Sequence, residues 1–133
     1  MKATEILKEE HQVIEQVLDC LEALASQTEK SGKLDALPAQ QAVDFLRNFA
    51  DRCHHGKEEA QFFPLLEQRG FSKDCGPTAV MRLEHEQGRA CVKGMGEAVA
   101  AAPHDAAAAK RFAAHAREYV ALLRGHIQKE NNC

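Results

Sequence analysis

Two His-x-x-x-Glu pairs, His54 with Glu58 and His126 with Glu130, set an imidazole and a carboxylate four residues apart on one helical face. Two more histidines, His11 and His85, occupy stretches in which every third or fourth residue is otherwise apolar. A single histidine on such a face is normally a core residue with a local hydrogen bond. Four separate segments each giving a core position to histidine form a different pattern, and its chemistry is metal ligation. Neutral imidazole nitrogen and carboxylate oxygen together suit iron, while zinc and manganese accept the same donors.

Coordination arithmetic makes this concrete for two metals of about six positions each. Two glutamates on opposed helices, Glu58 and Glu130, can bridge the pair. With one oxo or hydroxo bridge they leave about six terminal positions. His11, His54, His85 and His126 are candidates for four of these. His55 is the fifth, since it lies about 100° round the helix from His54 and can face the second metal, the one His85 and His126 also hold. Five histidines leave one open position, suited to a diatomic ligand; if His55 points to solvent, two are open. His55 and Glu59 make a further His-x-x-x-Glu pair, so Glu59 competes with Glu58 as the bridge. Glu58 is preferred because it shares a stripe with Leu46, Ala50, His54 and Phe62. Tyr119, two turns before His126 on the same stripe, is either a core residue with a locally bonded hydroxyl or a donor toward a metal ligand or bound diatomic. Gly88, one turn past His85, is costly in a helix interior and implies extra space or a close helix approach.

The elements that must position these residues are four helices. Breaks fall at Ser31-Gly32-Lys33, from Gly70 to Gly76, and at Pro103-His104-Asp105. Pro38 and Pro77 suit first helical turns, Thr4 and Asp105 suit N-caps, and Gly32 and Gly70 suit left-handed C-terminal positions. Pro64 predicts a kink in the second helix. Three inner seams are legible: Leu7, His11, Ile14, Leu18, Leu21, Ala25; Met81, His85, Gly88, Val92, Met95, Val99; and Phe112, Ala116, Tyr119, Leu123, His126, Glu130. The expectation is an all-α, up-down antiparallel four-helix bundle. At ~1.5 Å per residue, His11 and His85 stand roughly 10–12 Å from the starts of their helices, His126 roughly 10 Å and Glu58 about 15 Å from the ends of theirs, so antiparallel packing gathers all four at one end.

With 133 residues, residues 1–133 are expected to form a single domain. A formal charge of -3 with scattered Lys and Arg disfavours nucleic acid. From Met1 to Glu10 neither a signal peptide nor a membrane span can be drawn, so a cytoplasmic protein with no membrane partner is expected. Cys20, Cys53, Cys75, Cys91 and Cys133 contain no C-x-x-C pair and are read as free thiols. A ferritin-like oxidase would need Glu-x-x-His motifs, which are absent. Structural zinc favours four closed ligands, often cysteine. A zinc-binding bundle and an iron- or redox-sensing interaction module are the alternatives to a ligand-binding iron pair. His104 and His115 read as outside the site, His115 lying about 16 Å from His126 along the last helix.

The string His54-His55-Gly56-Lys57-Glu58-Glu59, followed by Phe62-Phe63-Pro64-Leu65-Leu66, then Glu84-His85-Glu86-Gln87-Gly88-Arg89, then His126-Ile127-Gln128-Lys129-Glu130-Asn131, closely resembles the bacterial hemerythrin-like cation-binding domain family. The resemblance runs over essentially the whole chain, with His11 as the first-helix ligand. It implies two non-haem irons at His11, His54, His85 and His126 bridged by Glu58 and Glu130, with dioxygen or another small diatomic as partner. Oxygen binding, sensing or protection against oxidative stress is the implied role, rather than turnover as an enzyme. Animal oxygen carriers have a second histidine four residues after the one on the third helix, where this chain has Arg89. Relatives also continue past the last glutamate with an apolar stretch, whereas this sequence ends Asn131-Asn132-Cys133.

Overall fold

The structure is a computed structural model that describes residues 3–49 and 77–131, with side chains described for residues 9–49 and 82–128. The described residues are helical, without strands: α1 (Ala3–Ser31), α2 (Ala36–Phe45), α3 (Pro77–Ala101) and α4 (Ala108–Asn131). Each helix packs on the next and α4 closes back on α1, with the broadest interfaces at α3/α4 and α1/α4. This is the all-α four-helix bundle expected from the periodicity.

The helix ends follow from local chemistry. Gly32 takes φ +69, the left-handed conformation that costs a glycine nothing, and its N–H bonds the Thr28 carbonyl at 2.9 Å to close α1. Pro38 falls in the first turn of α2, and Pro77 opens α3. Asp105 accepts the Ala107 N–H at 2.9 Å and pairs with Arg111 at 2.9 Å, so both backbone and guanidinium donors hold its carboxyl below the usual range. Thr4 lies inside α1 rather than capping it. Beyond Phe45 the chain continues through residues 46–49 with the wider i→i+5 winding of a π-turn. Gly70 and Pro64 lie outside the described residues.

The seams pack as their period requires. Ile14, Leu18, Leu21 and Ala25 of α1 meet Val92, Met95 and Val99 of α3 and Phe112, Ala116, Tyr119 and Leu123 of α4 in one core, with Val43 and Leu46 from the second segment. Fully burying one such aliphatic side chain stabilises the bundle by roughly 1.5–3 kcal/mol, so this core holds the helices in register. Charge pairs then set the α1/α4 direction. Arg117 donates to both carboxylate oxygens of Glu29 at 2.6–3.0 Å and to Ser26 at 2.9 Å, while Arg124 reaches Glu22 at 2.9 Å and Asp19 at 2.6 Å. Pairs this exposed contribute little stability, but their antiparallel ladder fixes alignment. Carried toward the start of α1, the same register brings His11 to the last turns of α4, the end where His126 and Glu130 stand.

Candidate metal centre

The seam positions that the core gives to histidine are buried as deeply as their apolar neighbours: His11 is 3% exposed, His85 1% and His126 1%. Taking an imidazole so far from water is unfavourable unless its ring nitrogens find partners. For His85 and His126 the antiparallel crossing of α3 and α4 supplies them, because it sets the two rings opposite each other and then, proceeding along α3, Gly88 opposite Tyr119 and Gly94 opposite His115.

The Nε2 atoms of His85 and His126 face each other at 3.0 Å, with ring centroids 4.7 Å apart and planes tilted by 52°. On the far side of the His126 ring, Nδ1 lies 3.3 Å from Glu84 Oε1, a carboxylate that is itself 13% exposed. A ring that donates its Nδ1 proton to a carboxylate keeps the Nε2 lone pair for another partner, the arrangement that orients histidines toward metals. Imidazole nitrogens backed by a carboxylate are donors that suit iron, and zinc and manganese accept the same set.

The structure thus brings two of the predicted ligands, His85 and His126, into contact, and buries a third, His11, toward the same end of the bundle. Among the described residues no group of three or more His, Cys, Asp or Glu forms a cluster able to hold a metal ion. His54, His55, Glu58 and Glu59 lie outside the described residues, and Glu130 is described in its backbone within α4. Tyr119 is 2% exposed, and a Cβ added at Gly88 would stand 3.4 Å from its Cε1. A side chain at Gly88 would thus meet the tyrosine ring, Leu123 and Leu122 at ordinary van der Waals distance, on the turn beyond His85. Arg89 pairs with Glu86 on the outer side of α3. The His115 ring packs over Gly94, eleven residues before His126 along α4 and away from the His85–His126 pair.

Glu84 has a place in this site that sequence pattern did not assign. It precedes His85 and is turned about 100° from it around α3, off the apolar seam. Only the packing of α4 onto α3 carries His126 to it. A carboxylate next to a buried histidine was the available signal.

Cys91 is buried, and its thiol is pushed up to about 11 by desolvation, then by the charge of Glu118 and a hydrogen bond with it. Cys20 is exposed; Cys53, Cys75 and Cys133 lie outside the described residues. Among the described residues no helix is long and apolar enough to cross a membrane.

Uncharacterized proteins of Mycobacterium tuberculosis and Mycobacterium bovis are each 27% identical over 130 residues, covering 97% of this chain and 50% of theirs. The chain thus spans about half the length of these relatives. No solved structure matches. The sequence profile of the hemerythrin HHE cation-binding domain matches residues 2–132, nearly end to end, and the chain therefore belongs to that family, whose domain binds a metal cation.

Proposed function

We propose that the chain is a non-haem di-iron protein that binds dioxygen or another small diatomic, for oxygen binding, sensing or protection against oxidative stress. The observation that carries this reading is the buried His85–His126 pair, its Nε2 atoms 3.0 Å apart and Glu84 behind one ring. In the full reading His11, His54, His85, His126 and His55 would hold the two ions through imidazole nitrogen, and Glu58 and Glu130 through carboxylate oxygen. Reduced iron would supply the electrons and the open position that a diatomic ligand requires.

The chain's own residues perform the rest. Glu84 holds the proton on Nδ1 of His126 and so turns the Nε2 lone pair inward. Ile14 and Leu123, each buried one turn from a histidine of the site, help exclude water there, a dielectric condition that favours a neutral diatomic over hydrated anions. Tyr119, buried on the same face of α4 as His126, lies two turns before it.

Metal analysis of protein purified without added metal tests the reading, combined with absorption spectra before and after dithionite and then air. Two irons per chain with near-ultraviolet bands that bleach on reduction are expected. One zinc per chain and a featureless spectrum would overturn it.

A further inference from the structure

A cavity of about 260 Å³ opens between the π-turn after α2 and the face of α3 beyond His85. Its walls divide by chemistry. Leu46, Val92 and the ring of Tyr119 make an apolar floor, while Arg47, Arg89 and Lys93 contribute three cations, and none of the described lining residues is a carboxylate. Arg89 is partly neutralised by Glu86 outside the cavity. Arg47 is seated: its guanidinium occupies the space that a Cβ at Gly96 would fill, so the absence of a side chain there lets the cation lie down on α3. Among the described residues neither Arg47 nor Lys93 has a carboxylate within ion-pair distance.

We propose that this cavity binds a small organic anion, a carboxylate with a short apolar body, its head between Arg47 and Lys93 and its body on Leu46, Val92 and Tyr119. Like-charged side chains gathered round a low-dielectric cleft repel one another and focus a positive potential into it, which an anion relieves. Seated guanidinium groups suit a carboxylate, because their planar donor fork matches its two oxygens. The size also selects: the cavity falls just short of the ~300 Å³ at which drug-sized ligands begin to fit. A floor of two aliphatic residues and an aromatic ring favours an anion with an apolar body over a fully hydrated inorganic one. The site stands on these residues alone and does not depend on which metal the histidines hold.

Isothermal titration of the full chain, as purified, with benzoate, benzamide and inorganic phosphate tests the proposal. Benzoate should bind in the millimolar range, with benzamide and phosphate each weaker by about tenfold, the first lacking the charge and the second the apolar body. The double variant Arg47→Gln/Lys93→Gln should lose about tenfold in benzoate affinity, roughly threefold for each exposed cation, with helix content and metal content unchanged. Benzamide or phosphate binding as tightly as benzoate would overturn the assignment of ligand class. Undiminished benzoate binding by the double variant would place the anion elsewhere, the metal centre included, and overturn the site. No heat from benzoate at tens of millimolar would overturn it as well.

Discussion

Replacing Glu84 separates a carboxylate that orients a metal ligand from one that merely lies near it. Its Oε1 is 3.3 Å from His126 Nδ1, longer than the ~2.7–2.9 Å of a strong charge-assisted bond, and its side chain is 13% exposed. Removing such an outer partner typically lowers metal affinity by about 10–100-fold. The long contact puts Glu84→Ala at the lower end, about tenfold or ~1.4 kcal/mol. Glu84→Gln keeps an acceptor oxygen at the same reach and loses only the charge, so it should fall between alanine and wild type. The assay is anaerobic competition for ferrous iron between the protein and a chromophoric chelator, with urea unfolding of metal-free protein run in parallel. A carboxylate that only packs would reduce stability of the metal-free chain and leave metal affinity alone. The orienting role requires the reverse emphasis, with affinity ordered wild type, Gln, Ala. If Glu84→Ala competes for iron as well as wild type while keeping its fold, the His126 orientation argument is wrong.

Two further outcomes test the packing. Gly94→Ala puts a Cβ within 2.6–2.8 Å of three atoms of the His115 ring, so the ~1 kcal/mol helix-propensity gain of alanine is overtaken by about 1–3 kcal/mol of overpacking. In a His115→Ala background the same change should stabilise, and urea denaturation showing equal gains in both backgrounds would contradict the contact; His115→Ala alone should leave metal content intact. The Cys91 thiol, raised to about 11, contributes stability that is fully present below its unfolded value of 9.0 and is lost as pH rises through about 11. Peptide mapping after iodoacetamide at pH 8 should therefore find Cys20 labelled and Cys91 protected, and equal labelling would remove the burial argument.

Period alone carried the inner faces because a bundle buries one stripe of each helix and solvates the rest. His11, Ile14, Leu18, Leu21 and Ala25 all come out below 4% exposed, as do His85, Met95, Phe112, Ala116, Tyr119, Leu123 and His126 on the facing helices. Gly88 was legible as a missing side chain but its partner was not, since Tyr119 meets it only through the α3/α4 crossing. The same holds for Glu84 against His126, and for the ladder of Arg117 and Arg124 along α1: each joins residues tens of positions apart on faces with no apolar signature.

The unequal legibility of these residues has a physical origin that bears on the centre itself. Burial of a histidine is announced by its position in a hydrophobic repeat, because the cost of misplacing an apolar neighbour is large and repeats every turn. The orientation of that histidine is set by single polar contacts of lower energy, such as Glu84 to His126 Nδ1, which leave no periodic trace. A chain can therefore keep the four-helix seam while changing what its histidines present to a metal, through one off-seam carboxylate such as Glu84. Differences in reactivity among bundles with the same buried histidines are then to be sought one position off the seam, where Glu84 stands beside His85 and meets His126.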